Sequence, residues 1–214
     1  RDLFLNDSGN VVPGMSLFSR AGSGVPGTVD GLIRALADHG SGNITLRQAL
    51  APAIRLAEKG FELSHYEARR FNGYEGLFQS NDAAAAIFIR KDNNPWKKGD
   101  KLVQRDLAKT LKRISKYGRD GFYTGPVADL IVAEMKRGNG LISLEDLKNY
   151  LSVYRDHVSG TYNGHEVISM GPPSSGGALL VNMMNMLETL FFKDFLHFLS
   201  FYYSILSKLG QFGR

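Results

Sequence analysis

Apolar and polar positions along the chain separate with a helical period over most of its length. In "DLAKTLKRISKYG" Leu107, Leu111 and Ile114 fall on one face, while Lys109, Lys112, Arg113 and Lys116 fall opposite, which predicts an amphipathic helix. Upstream, "GVPGTVDGLIRALADHG" reads as a Gly-Pro-Gly bend, Thr28 as N-cap, a short helix and Gly40 as its stop. "ITLRQALAPAIRLAEKG" follows, with Thr45 and Gln48 in capping-box register and Gly60 past the last turn; Pro52 predicts a kink or restart within it. A third helical stretch is expected over roughly Ser64 to Gln79, ahead of the polar loop "KDNNPWKKGD".

Beyond the basic helix, Pro126 opens another helical run that a Gly-Asn-Gly sequence ends. Ser143 and Asp146 stand in cap register, and "GHEVISM" is the clearest strand. The pattern predicts mostly helix with few strands and contains no internal repeat or low-complexity linker.

Composition changes this picture mainly by exclusion. At 214 residues, 43% hydrophobic and 22% charged, the chain is long enough for one substantial core or two small ones, and it is not a disordered segment. The absence of cysteine removes disulfides, thiolate metal sites and cysteine nucleophiles. His39, His65, His157, His165 and His197 show no ligand spacing, so no metal site is expected. Eleven Lys/Arg against three Asp between Arg90 and Arg119 give a local charge of +8 in a chain of net +5. The amphipathic arrangement of these charges, without aromatic interleaving or a nucleic-acid motif, favours a solvated helix face, and no nucleic-acid partner is expected. The chain starts at Arg1 without Met, positively charged leader or apolar signal core, which is read as a signal peptide absent or already removed.

Six stretches then occur in a telling order: "GVPGTVDGL", "KKGDKLVQRDLAKTL", "GRDGFYTGPVADLIVAEM", "GLISLEDLKNY", "VSGTYNGHEVISM" and "GPPSSGGALLVNMMNMLE". In order and spacing they resemble the large subunit of gamma-glutamyltransferases, from about Arg1 to Glu188. The resemblance implies an α+β fold: a mostly helical fragment of an N-terminal-nucleophile hydrolase, whose complete form is a four-layer αββα sandwich. It also implies a precursor that cuts itself before a threonine, whose hydroxyl then attacks gamma-glutamyl amides such as glutathione. The freed α-amino group serves as base and backbone N–H groups stabilise the oxyanion. Water as acceptor gives hydrolysis, and an amino acid or peptide amine gives transpeptidation. No cofactor is implied, the partner is the small subunit of the same precursor, and the location is periplasmic or extracellular.

The same resemblance predicts an interior fragment that is inactive alone. The family's Asp-Gly-Arg-Glu stretch, whose arginine binds the substrate α-carboxylate, would lie before Arg1, and the Thr-Thr-His nucleophile segment after Arg214. Thr28, Thr45, Thr110, Thr124 and Thr161 are interior and none precedes a histidine, so none is carried over as the nucleophile. The family also includes acylases acting on glutaryl-type side chains.

The candidate site loop is "GPPSSGGALL", with Ser174, Ser175, Gly176 and Gly177 as its substrate-facing candidates. Hydroxyls and N–H groups at a helix start can hold a carboxylate. Alternatively, Ser174 or Ser175 caps the helix and the glycines permit close packing, which makes the loop a wall beside the site; this reading is favoured. The family usually places a third proline where Gly171 stands. Glu145 and Asp146 are read as helix-start residues and not as an acid/base pair, and Asp30 with Arg34 as a surface i,i+4 ion pair.

The division expected is residues 1–189 as large-subunit fragment and 190–214 as a divergent aromatic-rich tail, with a shifted reading frame as one explanation of it. In a helical frame Lys193, His197, Ser200, Ser204 and Ser207 form a narrow polar stripe on an otherwise apolar tail. Three readings stand: a cover for apolar surface, an out-of-frame accident, or a helix docking on a membrane surface or in a partner groove. The last supports an alternative function, a non-catalytic partner-binding or membrane-associated protein that retains the large-subunit scaffold.

Overall fold

A computed structural model describes residues 2–190. The tail readings, including the frame boundary and membrane contact, concern residues outside that range but for Leu190. The chain folds as two compact units, Arg1–Ser152 and Val153–Arg214.

The first unit is helical. Its elements are α1 (Met15–Phe18), α2 (Thr28–His39), α3 (Leu46–Lys59), β1 (Phe61–Glu62), α4 (His65–Gly73), α5 (Glu75–Gln79), α6 (Asp82–Phe88), β2 (Lys101–Leu102), α7 (Arg105–Tyr117), α8 (Asp120–Tyr123), α9 (Pro126–Arg137) and α10 (Leu144–Asn149). β1 and β2 form a two-stranded antiparallel ladder with Phe61 opposite Leu102. α3 and α7 pack together through the small buried residues Ala57 and Ala108, with Lys112 Nζ 2.5 Å from Glu58 Oε1.

Local signals act where they are read. Thr45 and Gln48 close a capping box on α3, Ser143 and Asp146 another on α10, and Pro126 is the first residue of α9. Asp146 thus accepts hydrogen bonds from Ser143, which bears out its reading as a cap. Thr45→Ala is expected to lower stability by about 1 kcal/mol, measured by urea unfolding, since it removes the acceptor for the Gln48 amide.

Four expectations about the helices are corrected. Thr28 is the first residue of α2, and Gly27 takes the cap position because a Cβ there would run into the Tyr150 hydroxyl. Pro52 lies inside α3, which overturns the restart but not the kink; its exposed position leaves the carbonyl it strands open to water. The third stretch is two helices, α4 and α5, meeting at Tyr74, and α4 starts from a Ser64–Glu67 capping box. On α7 the inward stripe includes Ala108 and Ile114, whereas Leu107 is exposed, because the helix is rotated to bring its small residue against α3.

Two apolar clusters hold this unit. One joins Tyr123, Ala128, Met135, Ile142 and Leu147. Tyr123 is fully buried; its hydroxyl donates to Pro26 O (2.6 Å) and accepts from the Asp30 amide (3.2 Å). Asp30, 7% exposed, does not pair with Arg34. Its Oδ1 accepts from Arg119 Nε (3.0 Å) and its Oδ2 from the Ser152 amide (2.7 Å), while Arg34 bridges to Asp38. The Arg119 guanidinium lies over the Tyr123 ring and donates to the Lys148 and Tyr150 carbonyls. Burial works to raise the Asp30 pKa, and the hydrogen bonds from Ser152 with the charge of Arg119 more than offset it, leaving it below the ordinary value.

The second cluster joins Leu63, Ala68 and Leu102 with Phe61, Phe71, Phe88 and Trp96. Trp96 is held from three sides. Asn72 takes its amide (2.8 Å) and donates to its carbonyl (3.0 Å), its Nε1 donates to Phe88 O (2.6 Å), and Phe71 meets its ring edge-on at 6.1 Å.

The second unit contains an antiparallel hairpin, β3 (Val158–Tyr162) and β4 (His165–Ser169), and α11 (Ser175–Leu190), which packs on both strands. The expected strand is thus β4. Its partner is fixed by the turn at Asn163-Gly164, both at positive φ, an Asn-Gly signal that specifies a tight hairpin.

Candidate functional site

The loop between β4 and α11 carries the four candidate residues. Gly171 is buried, and a Cβ there would meet the Asp156 carbonyl, so neighbouring backbone leaves no room for a side chain. The Pro172-Pro173 bond is cis and both rings are exposed. The Ser174 amide then donates to Gly171 O (3.2 Å), closing the turn into α11.

The candidates have different roles. Ser174 precedes the first helical residue, is half-buried, and its Oγ accepts from the Gly176 amide at 3.3 Å, which makes it the cap. Ser175 is exposed as the first residue of α11. Gly176 is exposed, and the nearest atom to an added Cβ is Ser174 Oγ at 3.5 Å, an ordinary contact. Gly177 is buried, and an added Cβ would strike the Met170 carbonyl and stand 2.8 Å from Val158 Cγ2. Of the two candidate glycines, Gly177 is the one that permits close packing. Gly160 on β3 does the same from the other side, where a Cβ would meet Val181 Cγ1 at 2.5 Å.

This arrangement can orient a helix start and present an exposed Ser175–Gly176 turn. Among the described residues, no hydrogen bond ties Ser174 or Ser175 to a histidine or carboxylate that could activate a hydroxyl. No group of three or more His, Asp or Glu residues there could hold a metal ion.

Every threonine also sits inside regular structure or a cap. Thr45 caps α3, Thr124 Oγ1 donates to Asp120 O (2.9 Å), and Thr28, Thr110 and Thr161 belong to α2, α7 and β3. Thr189, a sixth, belongs to α11 and precedes Leu190.

An α+β chain with this hairpin, helix and glycine-packed loop can be placed by comparison. A profile of the gamma-glutamyltranspeptidase family matches residues 1–200. The glutathione hydrolase proenzyme of Escherichia coli (strain K12) is 41% identical over 195 residues, 91% of this chain and 33% of that protein. The acylase ACY 1 proenzyme of Pseudomonas sp. (strain SE83) is 36% identical over 164 residues, 77% of this chain and 29% of that protein.

Among solved structures, Helicobacter pylori gamma-glutamyltranspeptidase superposes with a TM-score of 0.85 at 39% identity, covering 91% of this chain and 55% of that one. The Bacillus anthracis transpeptidase CapD gives 0.67 at 38% identity, covering 77% and 55%. The chain belongs to the gamma-glutamyltranspeptidase family, a family of enzymes. It spans about a third of the length of the curated relatives it matches.

Proposed function

We propose that this chain is the large-subunit portion of a proenzyme that cleaves gamma-glutamyl amides, glutathione among them, and passes the glutamyl group to water or to an amine. The single observation that carries this is the family match over residues 1–200. In this reading the nucleophile comes from a Thr-Thr-His segment of the partner small subunit, a sequence the 214 residues do not contain. The loop from Gly171 to Gly177 is a wall of the substrate pocket: Ser174 Oγ is engaged by the Gly176 amide and Gly177 seats α11 on β3, which supports a positioning role. The complete protein works in the periplasm or outside the cell.

Exposed apolar side chains support a partner subunit. Ile168 and Met170 at β4, and Leu179, Met183 and Met186 on α11, are each more than half exposed, a surface suited to cover by another layer.

The 214-residue chain, purified to homogeneity, is expected to release no measurable product from gamma-glutamyl-p-nitroanilide. The same residues carried within a full-length family proenzyme, which has the Asp-Gly-Arg-Glu stretch as well as the small subunit, are expected to show turnover and cleavage of the precursor. Turnover by the 214 residues alone overturns the assignment of the nucleophile to the partner. A glutaryl anilide run in parallel separates gamma-glutamyl from glutaryl preference.

A further inference from the structure

Trp96 is the sole tryptophan of the chain, and it is held rigidly by Asn72, Phe88 and Phe71. Beside it opens a cleft of about 370 Å³, within the size range of small-molecule sites. His65 and Arg69, one helical turn apart on α4, form one wall, and Trp96, Lys97 and Lys98 another.

No acidic residue lines the cleft. Among the described residues, no hydrogen bond, ion pair or ring contact engages the side chains of His65, Arg69, Lys97 or Lys98. The nearby acids are occupied. Glu67 accepts from the Ser64 amide (2.7 Å), and Asp100 accepts from the Lys97 amide (2.7 Å) and from Arg90 (2.5 Å). Three permanent cations therefore line one concave surface beside a fixed indole, with the Asp100 charge acting on Lys97 alone among them and the Arg90 guanidinium over the Trp96 ring at 5.5 Å.

An evenly solvated basic face differs in arrangement. On α7, Lys109 and Lys112 point outward to pair with Asp106 and Glu58. At Trp96 the cations come from two separate elements and meet across a depression.

We propose that this cleft is a binding site for a small anion with at least two negative charges, phosphate or carboxylate, whose apolar part lies against Trp96. Arg69, Lys97 and Lys98 supply the charge-assisted hydrogen bonds. The site is independent of gamma-glutamyl chemistry and does not rest on that reading.

The emission of Trp96 reports directly on the cleft. The 214-residue chain is titrated with inorganic pyrophosphate and, separately, with citrate, while tryptophan fluorescence is recorded. A saturable change is expected with at least one probe; pyrophosphate alone assigns the site to phosphates, citrate alone to carboxylates, and both to either anion. Lys97→Ala with Lys98→Ala is expected to raise the half-saturation concentration by about tenfold or more. Arg47→Gln with Arg55→Gln, an equal loss of charge on exposed positions of α3, is expected to change it by less than about twofold. Far-UV circular dichroism checks each fold, and Arg69→Gln replaces the lysine pair if that pair loses helix. Absence of saturation with both probes, or equal weakening by the α3 control, overturns the proposal.

Discussion

Asp30→Ala is expected to lower the stability of the first unit by about 3 kcal/mol, read from urea unfolding followed by Trp96 emission. The carboxylate joins the start of α2 to Arg119 and to the Ser152 amide. Its removal leaves a guanidinium, only 24% exposed, beside the buried Tyr123 ring without its counter-charge, and leaves a backbone donor unpaired. Asp30→Asn keeps the shape and one acceptor, so its loss is expected to be smaller.

The pH dependence has a definite sign. Because the Asp30 pKa is lowered on folding, its ionised form contributes stability above its unfolded value of about 3.9, and that contribution disappears as pH falls through the lower folded value. The stability difference between the parent chain and Asp30→Asn is therefore expected to shrink on acidification below about pH 4. A difference that stays constant or widens there contradicts the ion-pair account.

Gly177→Ala is the second large effect. Alanine at a helical position ordinarily stabilises by up to about 1 kcal/mol relative to glycine. At Gly177 the new methyl has no room, since the Met170 carbonyl is backbone and Val158 is fixed in β3. The expected result is a net loss of about 2 kcal/mol, seen as faster amide exchange in the β3–β4 ladder. Gly176→Ala, one residue away and open to solvent, is expected to be neutral or slightly stabilising. In the complete enzyme the pair also tests the wall. Gly177→Ala is expected to lower activity through a displaced loop, whereas Gly176→Ala leaves the loop seated.

The sequence by itself determined what one turn of chain can decide. The boxes at Thr45–Gln48 and Ser143–Asp146, the start at Pro126 and the strand at His165–Ser169 all follow from groups within four residues of each other. Family membership was equally legible, because it rests on ordered motifs and not on contacts. The Ser64–Glu67 box and the Asn163-Gly164 turn were readable signals of the same local kind.

Only the tertiary structure decided which of several locally equivalent groups meets a distant partner. Asp30 has Arg34 one turn away, yet its carboxylate goes to Arg119, 89 positions on, because packing around Tyr123 brings α2, α8 and the end of α10 together. Tyr150 decides that Gly27 caps α2, and α3 decides that Ala108 faces inward while Leu107 is exposed. Within the candidate loop, Gly176 and Gly177 are the same residue in the same helix turn. The close approach of Met170 and Val158 makes one indispensable and leaves the other free, since steric exclusion acts over a few ångströms between segments whose distance apart no local pattern encodes.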